Sequence, residues 1–207
     1  MDNIFRLLIL IPVFVLGCSP NLVDENKVTQ QIDSLDMNIF SKKGDKIYSI
    51  TSSSSSYDNN ELKFKFKNPT INIFKGEVTK YIITSDESTL FENNKLLKLK
   101  GNVKLKNLRE DEYFLYADNF IWNVKENQYY LDGNIKFENK NIILNSGSAK
   151  LDESNIIEFF NPVKYIIKDD NNKNKFEIKS ENAYYDLETE SISFKGKDKR
   201  VRSIIYF

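Results

Sequence analysis

The residue types that support catalysis and metal binding are scarce in this chain of 207 residues. The sequence contains no histidine and a single cysteine, Cys18. This composition excludes most zinc sites, Ser-His-Asp and Cys-His catalysis, and any internal disulfide. Carboxylates, lysines and hydroxyls are what remains for chemistry, so we expect no metal, no other cofactor and no enzymatic activity.

Two short acidic clusters are the remaining candidates for a reactive site. Residues 169–172 read Asp-Asp-Asn-Asn, without the Asp-x-Asp-x-Asp-Gly order and distal Glu of a calcium loop. Residues 110–112 read Glu-Asp-Glu, and neighbours along a chain do not face one another across a cleft. Both clusters are typical of polar turns, which makes a carboxylate enzyme the least favoured of three functional hypotheses.

The cysteine follows a segment typical of exported bacterial proteins. Arg6 precedes the apolar run Leu7–Leu16, which is shorter than the roughly twenty residues of a membrane-spanning helix. The run ends in Val-Leu-Gly-Cys at positions 15–18 and resembles the lipobox of bacterial lipoproteins. The resemblance implies that residues 1–17 are a signal peptide and that Cys18 is lipidated as the first mature residue. An ordinary signal peptide or a short uncleaved anchor is the alternative.

Charge and composition describe the rest of the chain. Thirty basic and thirty acidic residues cancel, so nothing indicates a nucleic-acid partner. The 40% apolar and 13% aromatic content suffices for a folded core. Residues 18–45 are polar and predict a tether, although Val28, Ile32, Leu35 and Ile39 could form a weak helical stripe.

Strict alternation of apolar and polar residues begins near residue 46. Leu97-Lys-Leu99-Lys and Tyr129-Tyr-Leu131-Asp are clear examples. A period of two sends apolar side chains to one face of a strand and lysines to the other. The pattern predicts an all-β domain over residues 46–207.

The alternating segments also repeat along the chain. Small residues recur at spacings of 29 to 34, at Ser52, Ser85, Ala117, Ser146 and Ser180. A glycine interrupts the alternation in several units, where it favours a bulge or a sharp bend. About five stacked units, each bent at the same place, predict a twisted open β-jellyroll or flattened roll of antiparallel strands.

The repeated core around Gly101-Asn102 and Gly133-Asn134 reads [Leu/Tyr]-x-Leu-x-Gly-Asn-[Val/Ile]-x-[Leu/Phe]. This pattern resembles the lipopolysaccharide-transport β-jellyroll family, which includes LptA, LptC and the amino-terminal part of LptD. One amino-terminal anchor and one roll resemble LptC most. LptC proteins are commonly held by an uncleaved transmembrane helix, which a lipobox replaces here.

The resemblance implies a carrier of lipopolysaccharide or a related glycolipid. Such a carrier receives lipid from the membrane subunits of an ABC transporter and passes it to an LptA-like periplasmic protein by edge-strand pairing. The resemblance favours a periplasmic domain anchored to the inner membrane. By a rule used in some bacteria, Ser19 would favour the outer membrane.

The apolar residues of the alternating segments are the candidates for a lipid groove. They are Phe64, Phe66, Ile71, Ile73, Leu97, Leu99, Val103, Leu105, Tyr129, Leu131, Ile135, Phe137, Val163, Tyr165, Ile167 and Phe194. A packed core produces the same alternation, and Trp122 fits a core position. The alternative function is therefore a structural or adaptor lipoprotein with a filled core that acts by strand pairing.

An open roll has two edge strands with unpaired backbone groups. We expect one edge in the first repeat, at Ile47–Ser56. The other is expected at the apolar carboxyl end, where Val201, Ile204, Ile205, Tyr206 and Phe207 form a candidate partner-binding strand. A closing strand of the same domain is the alternative for this segment.

Overall fold

The computed structural model describes residues 29–91, 95–108, 113–152, 154–196 and 200–206. Every regular element within these ranges is a β-strand, and all fourteen strands belong to one antiparallel sheet. No helix in the described part of the chain is long and apolar enough to cross a membrane. The expected all-β class is confirmed.

The strands follow one another closely along the chain. They are β1 (Thr29–Phe40), β2 (Lys46–Asp58), β3 (Lys63–Lys67), β4 (Thr70–Lys75), β5 (Val78–Thr84), β6 (Glu87–Phe91), β7 (Leu96–Asn107), β8 (Tyr113–Asn123), β9 (Gln128–Asn139), β10 (Ile142–Leu151), β11 (Ile156–Lys168), β12 (Asn174–Asp186), β13 (Ile192–Lys195) and β14 (Arg202–Ile205). From β7 to β12 each strand pairs with its neighbours in sequence, so the sheet grows as a meander.

The sheet is divided by a crease that crosses its long strands. Short strands β4 and β5 pair with one end of the long strands, and β3 and β6 pair with the other. We call the first part leaf A; it comprises β4, β5, β14 and residues 36–40, 46–51, 103–107, 113–116, 135–139, 142–146, 163–168 and 176–179. Leaf B comprises β3, β6, β13 and residues 29–33, 54–58, 96–100, 119–123, 128–132, 148–151, 156–160 and 182–186.

The two leaves lie face to face, as contacts between aromatic rings of leaf A and leaf B show. The ring centroids of Phe137 in leaf A and Tyr185 in leaf B are 4.8 Å apart. Those of Tyr48 in leaf A and Trp122 in leaf B are 5.0 Å apart, in an edge-to-face arrangement. The hydrophobic core therefore lies between the leaves, and each long strand contributes side chains to both walls.

Small residues recur at the crease in β2, β8, β10 and β12 and between β5 and β6. The hydroxyls of Ser52, Ser85, Ser146 and Ser180 each donate to the carbonyl oxygen two residues later, at 2.8, 2.9, 3.0 and 2.9 Å. A larger side chain would fill the narrow space where the leaves meet, and these bonds satisfy carbonyls that the ladder leaves at the bend. Ala117 occupies the same position in β8.

Glycine and asparagine make the bend in β7 and β9. Gly101 and Gly133 have φ angles of 76° and 78°, a region that favours glycine. The side-chain amide of Asn134 donates to Asp118 of the neighbouring strand at 2.8 Å. Asn102 donates to Asp86 in the same way at 2.9 Å. The bend predicted from the interrupted alternation is confirmed at both glycines.

The amino-terminal boundary of the predicted domain is wrong. Residues 29–40 of the expected tether form β1, which pairs with β2 along its length. The strand bends at Ser34, whose φ is 55°. As a result Ile32 and Leu35 both point inward, although they are three positions apart in the sequence. A spacing of three is also expected for one face of a helix, and it interrupts the alternation by which a strand is recognised in a sequence.

The predicted edge at Ile47–Ser56 is also wrong, because the unpredicted strand β1 pairs with it. These residues belong to β2, which pairs with β1 on one side and with β3 and β4 on the other. The edge of the described sheet is β1 itself. At the opposite end β13 and β14 both pair with β12, and no described strand pairs with their outer sides.

A buried carboxylate with two partly exposed lysines lies at the carboxyl-terminal end of the sheet. Glu177, only 5% exposed, lies on the outer face of β12 beside β14. The ammonium groups of Lys164 and Lys179 are 3.1 and 3.3 Å from its carboxylate oxygens. Burial raises the pKa of Glu177, but the hydrogen bonds and charges of both lysines outweigh it and hold the pKa below its usual range.

Replacing Gly133 with alanine should destabilise the fold more than the same change at Gly76. Both glycines have positive φ, 78° and 65°, so alanine costs about 1 kcal/mol at either from the backbone alone. A Cβ at Gly133 would also lie 2.6 Å from the Asp118 carboxylate and 2.9 Å from its Cβ, whereas nothing lies within 4 Å at Gly76. We expect Gly133→Ala to lose about 2 kcal/mol more in urea denaturation. Equal losses would show that the crease does not need this close approach.

Candidate functional site

The space between the leaves is the candidate site, and most of the predicted groove residues line it. Thirteen of those sixteen residues are buried, and Phe64, Ile167 and Phe194 are partly buried against the same core. The structure therefore brings all sixteen predicted side chains to one interior. They contact one another there as a packed core, so their role as lipid-binding residues stays a prediction.

Sequence reasoning missed the interior residues of β2, β5, β6, β8, β10 and β12. In β8, for example, Leu115 and Phe120 are buried between the leaves on either side of Ala117. Each of these strands has one additional residue at the crease. The nearest inward-facing residues on the two sides of the crease are therefore five positions apart in the sequence. In β7, by contrast, Leu99 and Val103 are four apart and the alternation stays in phase.

The crease position itself could have located the missed residues. Counting from each small residue, the second and fourth positions before it and the third and fifth after it point inward. The rule gives Tyr48, Ile50, Ser55 and Tyr57 around Ser52, and Tyr81, Ile83, Ser88 and Leu90 around Ser85. It also gives Tyr113, Leu115, Phe120 and Trp122 around Ala117, and Phe176, Ile178, Ala183 and Tyr185 around Ser180.

The polarity of the interior changes from the crease to the open side, by which we mean the side opposite the crease, between the free margins of the two leaves. Apart from Ser55 and Ser88, the positions nearest the crease carry aliphatic, Phe or Ala side chains, such as Ile50, Ile83 and Leu131. The positions farther from the crease include Tyr48, Tyr81, Tyr113, Trp122, Tyr129 and Tyr185, together with apolar residues such as Leu90, Leu97 and Phe137. Asn107 and Asn139, both 3% exposed, lie farther out still, at the ends of β7 and β9. The interior is therefore amphipathic, with hydroxyl and amide groups collected at the open side.

Tyr48 and Tyr129 are neutral at physiological pH, because burial raises the pKa of both hydroxyls. Burial raises the pKa of Tyr48 from its ordinary value of about 10 to about 12. Burial also raises the pKa of Tyr129, and the nearby Tyr81 raises it further. Their hydroxyls supply polarity without charge. Among the described residues Glu177 is the only buried acidic or basic side chain, and it faces outward.

A cavity of about 700 Å³ lies at the open side, between the free margins of the two leaves. Val78, Leu108 and Tyr113 line it from leaf A, and Leu187 and Glu188 from the turn that follows β12 in leaf B. The side-chain amide of Asn139 donates to the Tyr185 hydroxyl at 3.0 Å across this margin. Burial raises the pKa of Tyr185, and the Asn139 bond partly offsets that rise.

The acidic cluster at residues 169–172 forms a turn. Asp169 accepts backbone hydrogen bonds from Asn171 and Lys173 at 3.0 and 2.8 Å, which makes this segment the expected polar turn between β11 and β12. Residues 110–112 lie outside the described residues. Across the described ranges, no three His, Cys, Asp or Glu side chains group into a possible metal site.

The other predicted residues have different outcomes. Trp122 is buried in the core, as expected. Val201, Ile204, Ile205 and Tyr206 are exposed at the carboxyl-terminal edge, where residues 202–205 form β14. Phe207, the signal peptide and Cys18 lie outside the described residues, so their roles stay predictions.

Comparison with known proteins gives a family and a distant structural neighbour. The family model described as "Lipopolysaccharide-assembly, LptC-related" matches residues 12–152. The crystal structure of LptH from Pseudomonas aeruginosa, the LptA homologous periplasmic component of its lipopolysaccharide transport device, gives a TM-score of 0.42 at 10% identity. That alignment covers 77% of this chain and 94% of LptH. Curated protein sequences gave no match.

The family match covers more than half of the chain and confirms the resemblance drawn from the repeated Gly-Asn core. The chain belongs to the LptC-related lipopolysaccharide-assembly family, whose members are non-enzymatic periplasmic components of lipopolysaccharide transport.

Proposed function

We propose that this protein is a membrane-anchored lipid carrier. It accepts lipopolysaccharide, or a related glycolipid, from the membrane subunits of an inner-membrane ABC transporter. It then passes the lipid to a periplasmic β-jellyroll bridge. The acyl chains lie between leaf A and leaf B, and the sugar headgroup stays outside the open side.

The polarity gradient of the interior carries this proposal. Acyl chains require apolar walls without unpaired charges, and the positions near the crease, such as Ile83 and Leu131, supply them. The junction between acyl chains and sugar is polar, and the tyrosine hydroxyls and asparagine amides at the open side suit it. A lipid therefore fits in one orientation, with its chain ends toward the crease.

The adaptor hypothesis has an observation of its own. Phe137 contacts both Phe159 and Tyr185 of the opposite leaf, with centroids 5.7 and 4.8 Å apart. These contacts fill the interior, so lipid must part the leaves or displace side chains to occupy it. A roll whose leaves never part would act by strand pairing alone.

A photo-crosslinking amino acid at Leu131 should capture lipopolysaccharide in living cells. Leu131 is 3% exposed and faces the interior, whereas the adjacent Tyr130 is 41% exposed on the outer face. We expect an adduct at position 131 that disappears when ATP is depleted, and none at position 130. Immunoblotting of the irradiated protein for lipopolysaccharide measures the adduct.

The position-130 variant controls for adducts formed by collision with bulk lipid. If Leu131 and the neighbouring interior positions Leu99 and Ile135 all give no adduct, the interior is closed to lipid. The adaptor hypothesis would then replace the carrier.

We also propose that β14 is the strand that pairs with the next jellyroll. The Tyr206 amide donates to the Lys175 carbonyl at 3.0 Å, which puts alternate residues of this segment in hydrogen-bonded pairs with β12. In an antiparallel ladder the intervening residues, Ser203 and Ile205, direct their backbone groups to the free side. Exposed apolar side chains at Ile204 and Ile205 support the same partner surface.

Ser203→Pro should weaken pairing with an LptA-like partner while leaving β14 attached to β12. Proline removes the amide that faces the free side and none that faces β12. We expect the loss of crosslinking between Tyr206, carrying a photo-crosslinking group, and the partner. Ser203→Ala keeps the amide and should crosslink normally. Unchanged crosslinking in Ser203→Pro would show that β14 is not the paired edge.

The anchor is proposed to be the lipid on Cys18. Several acyl chains hold a protein on a membrane permanently, because each buried methylene contributes about 0.8 kcal/mol. Cys18→Ser should therefore lose incorporation of labelled fatty acid and leave the membrane fraction after cell lysis. Ser19→Ala keeps the thiol and should retain both properties. A Cys18→Ser protein that stays in the membrane fraction would identify an uncleaved apolar segment as the anchor.

A further inference from the structure

Two side-chain contacts connect the leaves at the open side of the sheet. The first is the buried hydrogen bond from Asn139, at the end of β9 in leaf A, to Tyr185, at the end of β12 in leaf B. The second is an ion pair between Lys140 and Glu190, whose charged atoms are 3.4 Å apart. The backbone pairs of the described strands join neighbours within a leaf, so side chains make the connection at this margin.

The contacts differ in strength but lie side by side. The Asn139 bond is shielded from water, and losing it would leave polar groups unpaired while the leaves stay together. Lys140 and Glu190 are partly exposed, with side-chain exposures of 61% and 35%, so their attraction is screened. Both contacts join the end of β9 and the residue after it to the end of β12 and the turn after it, and both would break in a single outward movement of these margins.

Unpaired polar atoms lower the free energy required for that movement. Asn139 Oδ1 and Glu190 Oε1 are buried without a hydrogen-bond partner. Both residues line the cavity of about 700 Å³ at this margin. Parting the leaves would return both oxygens to water, which offsets part of the loss of the two cross-leaf contacts.

We infer that Asn139–Tyr185 and Lys140–Glu190 form a latch that controls admission of acyl chains through the open side. The inference rests on the proposed carrier function. With the latch closed, the margins confine the interior, and the cavity extends only between the outer ends of the strands. With the latch open, a chain passes sideways between the leaves without threading through either end of the roll.

A disulfide across the latch tests this inference. The full-length chain with Cys18→Ser has no other cysteine, so Lys140→Cys with Glu190→Cys can form one defined bridge. We expect the oxidised protein to lose uptake of a fluorescent long-chain fatty acid, and a reductant to restore it. Asp132→Cys with Ser148→Cys is the matched control, because those side chains are in contact at 3.1 Å but both belong to neighbouring strands of leaf B.

A second measurement separates the latch from the carrier function. Tyr185→Phe removes the hydroxyl that accepts the Asn139 bond, and should speed amide hydrogen exchange at the ends of β9 and β12. Tyr184→Phe changes the outward-facing neighbour and should leave this exchange unchanged. If wild-type protein takes up no fatty acid, the carrier function fails, while the exchange data still test the latch.

Two outcomes would overturn the latch. One is equal uptake by the oxidised and reduced forms of the Lys140→Cys, Glu190→Cys protein. The other is equal hydrogen exchange in Tyr185→Phe and Tyr184→Phe.

Discussion

Every long strand that passes from one leaf to the other must bend near its middle, and the rest of the structure depends on that constraint. The crease is made locally, by a small residue in one strand and by Gly-Asn in the next. Gly133 has positive φ and faces Asp118 so closely that no side chain fits between them. Asn134 then bonds the same carboxylate. Because neighbouring strands bend at matching positions, a single sheet forms both walls of the interior.

The bend also determines what the interior can hold. Side chains near the crease lie where the leaves converge, and aliphatic, Phe and small side chains fill that region. Farther out the leaves diverge, and tyrosine, tryptophan and asparagine reach across, as Tyr48 and Trp122 do at 5.0 Å. An interior with this gradient suits an amphipathic lipid, whereas a uniform apolar core would not orient one. The same rings fill the space when the leaves are together, so binding and closure involve the same side chains.

The two ends of the sheet have edges that no described strand pairs with, and these edges are protected unequally. At one end β1 covers β2 but leaves Leu35, Met37 and Ile39 only partly buried. At the other end β14 is short and exposed, and Glu177 with its two lysines secures the strand beneath it. An exposed apolar edge favours association with another strand. A domain with such edges can pair with an edge strand of another protein. Such pairing agrees with its membership of a lipopolysaccharide-assembly family.

The sequence by itself determined the fold class, the repeat and the places where the strands bend. Alternation and turn residues act over a few neighbours, so they could be read from Leu97–Leu105 or from the small residues at 52, 85, 117, 146 and 180. Sequence reasoning failed where the crease shifts the phase, as in β1 around Ser34 and in β8 around Ala117. There the inward face depends on how the strand bends against its neighbours. Only the tertiary structure brought Asn139 to Tyr185, because their contact depends on the angle between the leaves, which no local pattern records.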